Sequence, residues 1–193
     1  MALFNVDAFK TALGNGGARP NQFQVRIGFP PAAPNPFASV QGSFLITAAS
    51  LPGQVVPPAT VLYRGRQVHM AGDRVFTPWT TTILNDTQFT VRNAIENWMN
   101  QMEDLEIKDG LTQPSLYLAD LEVEQLDRNG AVLKRYIFKQ AFPTDLSDVG
   151  LSFDANDQIS SFTCTWQYQY FSIANDRVAS TIAGATVPFG AGI

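Results

Sequence analysis

Two alternating runs joined by Asp127-Arg128-Asn129-Gly130 constrain the fold of this chain most. Positions 116–126 and 131–142 alternate apolar with polar residues, the period of a half-buried strand. Asn-Gly between two such runs is a strong local hairpin signal, because both residues tolerate the positive φ that a tight turn needs. A last run at 159–171 sets Phe162, Cys164, Trp166, Tyr168 and Tyr170 on one face. Near the start, Phe23, Val25, Ile27 and Phe29 alternate with Gln22, Gln24, Arg26 and Gly28. Strands are also predicted at 43–49 and 76–84, with a hairpin over 61–70 turning near Arg64-Gly65.

Helical spacing is rarer. Val91, Ile95, Trp98, Met102 and Leu105 recur at three and four residues, Met99 widens the stripe, and Asp86 or Thr87 is placed to cap the helix. Asn5 is placed to cap a short helix ending at Leu13, before a glycine hinge at 14–17. The four prolines of 30–36 predict an extended loop. Leu51-Pro52-Gly53, 110–114, 143–148 and 154–157 read as breaks, loops or turns. No alternating βαβ pattern is present. The class is therefore mainly β, an antiparallel sandwich or barrel with one flanking α-helix.

The 193 residues suit one domain, here 1–171, with a C-terminal extension at 172–193. Ala, Gly, Ser and Thr dominate that extension, which has little apolar mass of its own and is expected to dock on a neighbouring subunit. Charged residues make up 16%, beside 14 Phe, 5 Tyr and 3 Trp; soluble proteins carry about 25%. Such a surface suits either coverage by other copies or a slightly apolar monomer. Residues 1–102 carry a net +3 and residues 103–157 a net −7. Opposite charges on two faces would favour head-to-tail stacking; mixed on one surface, they would mean little.

Catalytic patterns are missing. Cys164 is the single cysteine, so no intrachain disulfide forms, and no cation adjoins it to activate the thiol. His69, the single histidine, reads as structural, and thiolate or multi-imidazole metal sites are excluded. No Gly-x-Ser-x-Gly elbow or phosphate loop occurs. Asp120, Glu122 and Glu124 share a strand face, where a solvated or pore-facing stripe fits better than a glycosidase pair. The aromatics of the last strand could stack bases, but they lack a basic patch, so core packing is the better reading. No catalytic, cofactor-binding or metal-binding residues are expected. Positions 1–10 lack a signal peptide's pattern, and no run approaches the ~18 apolar residues of a membrane helix. A reducing cytoplasm or release by lysis fits the composition.

The stretch 71–86 combines a turn at Gly72-Asp73, the basic Arg74, an aromatic strand and the Asn85-Asp86 cap. It closely resembles a segment of the tail tube proteins of contractile-tailed, T4-like phages. The resemblance runs from about Arg19 to Phe171. It is carried by Arg19-Pro20-Asn21-Gln22-Phe23-Gln24-Val25, Leu51-Pro52-Gly53, Ala71-Gly72-Asp73-Arg74, Phe76, Trp79-Thr80 and Asn85-Asp86. Trp98 in the helix, Pro143-Thr144, Asp154, Asn156, Ile159 and Phe162 continue it. Three features depart from the pattern: the proline-rich loop looks like an insertion, Phe153 stands where tryptophan occurs, and the extension runs past the pattern's end.

The resemblance implies a structural subunit and no enzyme. Homohexameric rings would share an inner β-barrel and stack into a tube. A contractile sheath would surround the tube, a tape-measure protein would fill it, and baseplate and terminator proteins would end it. DNA would pass without specific binding. Assembly would occur in the host bacterial cytoplasm and the product would reside in the virion tail, with no membrane insertion. Arg19, Pro20, Asn21, Gly72, Asp73, Arg74 and Trp79 become interface or motif candidates, and Asp120, Glu122 and Glu124 lumen candidates. The inner tube of a phage-derived injection particle or a type VI secretion system is an alternative. A small β-barrel holding an apolar ligand against the aromatic stripe is a second.

Overall fold

One strand of fifteen residues, β9, holds the fold together. In chain order the elements are α1 (Val6–Leu13), β1 (Phe23–Ile27), α2 (Pro36–Leu45), β2 (Ile46–Ala49), β3 (Gln54–Val55), β4 (Pro58–Tyr63), β5 (Arg66–Ala71), β6 (Val75–Phe76) and β7 (Trp79–Leu84). There follow α3 (Thr90–Met102), α4 (Pro114–Tyr117), β8 (Ala119–Leu126), β9 (Val132–Leu146), β10 (Ser161–Gln167) and β11 (Tyr170–Ala174). This computed structural model describes residues 5–13, 17–105, 110–154 and 156–174. Residues 14–16 of the expected hinge and 175–193 of the expected extension lie outside them.

The main sheet runs β1-β8-β9-β10-β7-β2, with β11 also paired to β9, and every pairing is antiparallel. β9 serves two halves. Its first part lies between β8 and β11, and its second part pairs with β10. The change comes at Gln140, whose φ of 55° bends the strand, while Gln169 N–H bonds to Lys139 O across the same level. A non-glycine residue in this region signals a forced bend. The halves fold over a shared core. Trp79 of β7 stacks on Phe138 of β9 at 4.4 Å, and Trp166 of β10 meets Trp98 of α3 at 5.6 Å. The three buried indoles find acceptors nearby: Trp166 Nε1 donates to Thr81 Oγ1, Trp98 Nε1 to Tyr117 O and Trp79 Nε1 to Ser50 O.

Several expectations change. The proline-rich stretch ends as a helix: Pro36 opens α2, and the Asn35 side chain accepts from Ala38 N–H at 3.0 Å. The strand expected at 43–49 is thus only Ile46–Ala49. The helix escaped detection because its buried face is small, Ala38 and Gly42, while Phe37, Val40 and Phe44 point outward. α2 joins α3 in flanking the sheets, in place of one helix. α3 stops at Met102, leaving Leu105 exposed and off the stripe. The strand expected from 116 begins at Ala119, after the helical turn α4. The loop expected from Pro143 is instead the end of β9, with Pro143 beside a register shift. The strand expected over 76–84 breaks between β6 and β7 at Thr77-Pro78. The last run divides between β10 and β11, so Tyr170 is half exposed and off the face shared by Phe162, Cys164, Trp166 and Tyr168.

Candidate assembly surface

The hairpin β4–β5 leaves the body as an arm. All twelve of its strand residues are exposed. Its turn is the two-residue loop Arg64-Gly65, with φ of 49° and 81°, both positive as a tight hairpin requires. Gly72 closes the base: its N–H bonds to Pro57 O at 2.9 Å, and a Cβ there would lie 2.5 Å from that oxygen. Cross-strand partners share a face. Val61, Tyr63, Arg66, Val68 and Met70 therefore form one side, and Thr60, Leu62, Gln67 and His69 the other. His69 Nδ1 and Thr60 Oγ1 are 3.2 Å apart. An isolated two-stranded hairpin is marginal in water. This arm, carrying exposed Val61, Leu62, Tyr63, Val68 and Met70, has the character of a segment that is covered in use.

The three carboxylates do alternate with core residues, since Leu121 and Val123 are buried. They do not form a bare acidic stripe. Arg135 Nε lies 2.8 Å from Glu122 Oε1 and 2.5 Å from Glu124 Oε1, and Arg26 reaches the same pair at 3.4 and 3.7 Å. Lys139 Nζ meets Asp120 Oδ2 at 2.6 Å. Glu124 is 2% exposed beneath the arginines. Burial pushes the Glu122 carboxyl above its ordinary range and the Glu124 charge adds to that, while Arg135 and Arg26 oppose both. Six charges on one sheet face thus cancel in pairs. The sequence pattern located the carboxylates but missed their partners, which come from β1 and β9 through register alone.

The other motif residues scatter. Arg19, Pro20 and Asn21 form an exposed turn before β1, with Gln22 N–H bonding to Arg19 O. Asp73 and Arg74 are exposed on the link from the arm to β6. Trp79 is core. Asp86 caps α3 from outside it, accepting from Thr90 N–H and Thr90 Oγ1 at 2.7 Å each. The Thr90 hydroxyl bond is the main cause of its carboxyl lying below the ordinary range. Phe153 is fully exposed, with Leu151 and Ile159 exposed nearby in sequence.

Burial, and then the Asp145 charge, push the Cys164 thiol far up. Among the described residues no three His, Cys, Asp or Glu side chains are grouped to hold a metal, and no helix is long and apolar enough to cross a membrane. The aromatic stripe expected to line a ligand pocket in the second alternative is packed core instead, with Trp166 and Tyr168 at 0% and 3% exposure. The sheet edges are more telling. Among the described residues, β1 pairs only with β8 and β11 only with β9, so this half of the sheet ends in two edges without a strand partner, the β1 edge touched by α2 where Ser39 Oγ donates to Ile27 O.

The chain is similar to known proteins. The family model described as phage tail tube protein matches residues 18–174. Tail tube protein gp19 of Enterobacteria phage T4 is 30% identical over 170 residues, covering 86% of this chain and 98% of the relative. The tail tube protein of Serratia phage KSP90 is 28% identical over 174 residues, covering 89% and 97%. Among solved structures, a chain of the anti-feeding prophage baseplate superposes with a TM-score of 0.61 at 15% identity, covering 83% of this chain and 97% of that one. A chain of the sheath/tube terminator of an extracellular contractile injection system does so equally well, covering 83% and 99%. At such identities these two speak for the fold alone. The unpaired edges, the unsupported arm and the family match agree: the chain belongs to the phage tail tube protein family and is a structural tube subunit.

Proposed function

We infer that six copies of this chain close into a ring by joining sheet edges, β11 of one copy lying beside β1 of the next. The observation that carries this reading is the four-stranded half β1-β8-β9-β11, whose outer strands have no further strand partner among the described residues. Unpaired edges template association with other chains, and closing a barrel removes them. Rings stacked head to tail extend without limit, and the bore becomes the conduit for DNA in the virion tail. The outer partners are a contractile sheath, a baseplate and a terminator, and a tape-measure protein occupies the bore before DNA does. Assembly takes place in the host cytoplasm, and no step calls on catalysis.

In such a ring the face carrying Asp120, Glu122 and Glu124 lines the bore. Its cations Arg26, Arg135 and Lys139 are already held by those carboxylates. Phosphates would find no spare positive charge there, and DNA would slide without counterion-releasing contacts. Arg74 and Asp73, exposed at the base of the arm, would face a neighbouring copy.

The test uses Gln24→Cys, on the same face of β1 as Arg26 and opposite Glu124. A bulky maleimide is expected to label unassembled chains and to be excluded from the walls of finished tubes. Free labelling along intact tubes would put this face outside.

A further inference from the structure

We propose that the tip of the β4–β5 arm docks into the cleft at the C-terminal end of α3 of a neighbouring copy. This rests on the tube reading and adds the partner surface that the arm engages. The cleft, about 560 Å³, is walled by Met99, Met102 and Leu105 on one side and Phe142 on the other, with Glu103 and Asp104 among its lining. Glu103 caps α3 at its C-terminal end, where backbone carbonyls add negative potential. The cleft is thus apolar inside and acidic toward the helix end, and flexible methionines adapt to whatever enters.

The arm tip is its chemical complement. Leu62 and Tyr63 are strongly exposed. Beside them stand Arg64, folded over the Tyr63 ring at 5.5 Å, and Arg66, paired across the turn with Tyr63. An aromatic ring with two guanidinium groups is a strong anchor for a pocket of this make-up. The opposed charges also match the positive first half and negative second half of the sequence.

Position supports a contact between copies. Trp79, Trp166 and Pro143 lie side by side across β7, β10 and β9. The arm leads into β7, and the cleft borders Pro143 on β9. The start of β7, to which the arm connects by way of β6, and the cleft therefore stand at the same end of the sheet, on either side of β10. Different patches of one subunit meeting in this way make a head-to-tail contact, the kind that propagates around a ring or along a stack.

Cross-linking full-length protein tests this. Arg64→Cys combined with Glu103→Cys, treated with a short bis-maleimide under assembling conditions, is expected to give a ladder of linked chains. Either single variant should give none, and an equal mixture of the two only linked pairs. Cys164 is fully buried and does not compete. In parallel, Arg64→Glu with Arg66→Glu should raise the concentration needed for assembly roughly ten-fold or more, with circular dichroism unchanged, and adding Glu103→Arg should lower it again. Tubes that form without the tip-to-cleft link overturn this contact while leaving the tube reading intact. Assembly indifferent to the charge reversal does the same. A wild-type chain that never assembles removes both.

Discussion

Glu124 shows how one residue can be unremarkable in sequence and central in structure. Its carboxylate is buried among Arg135, Arg26 and Glu122, so deleting it leaves two guanidinium groups competing for one partner. Breaking a fully buried pair costs roughly 3–5 kcal/mol; because both arginines keep contact with water, Glu124→Ala should cost nearer about 2 kcal/mol. Urea denaturation checks this, and a loss within error of zero would show the cluster to be ornamental. Asp86 belongs to the same scale. Losing its cap should cost about 1 kcal/mol in Asp86→Ala. Its carboxyl is held low by Thr90, so its contribution is complete above the ordinary carboxylate range and disappears as pH falls through the lowered value. Glu122, held high, works oppositely: its contribution is present in acid and lost as pH rises through the raised value. Asp86→Asn should therefore flatten the acid limb of the stability profile. An unchanged profile would show that the charge of the cap adds nothing.

The elements divide by how plainly the sequence announces them. β8, β9 and their Asn-Gly turn, the body of α3 and the arm were legible because the apolar period matches burial or because the turn residues are unambiguous. α2 was not, because its large apolar side chains face outward and its small ones face the core. The end of β9 was hidden by Pro143, which a strand accepts only at an irregularity such as the shift opposite Thr165 and Trp166. The exposure of the arm is invisible to periodicity, since both of its faces stay open until another chain arrives. Pro57 and Gly72 are already hydrogen-bonded at its base, so a short glycine linker can replace 58–71. That variant should keep the β-domain folded by circular dichroism yet fail to sediment as tubes. Normal tubes from it would mean that the arm has no part in assembly.

At the scale of the whole molecule, sequence gave the class, the family and the absence of catalytic signatures, while geometry supplied the two unpaired edges and the paired charges. The three carboxylates illustrate the gap. Alternation put them on one face, but only strand register brings Arg26, Arg135 and Lys139 against them. The acidic surface expected from β8 is therefore charge-compensated. The body is well packed, while its apolar arm and unpaired edges are left open. A chain built in this way is completed by copies of itself. Electron microscopy of the purified full-length protein tests that most directly. Hollow rings of six subunits, stacked into tubes as concentration rises, are the expected image. Compact monodisperse monomers at every concentration and salt would contradict the account.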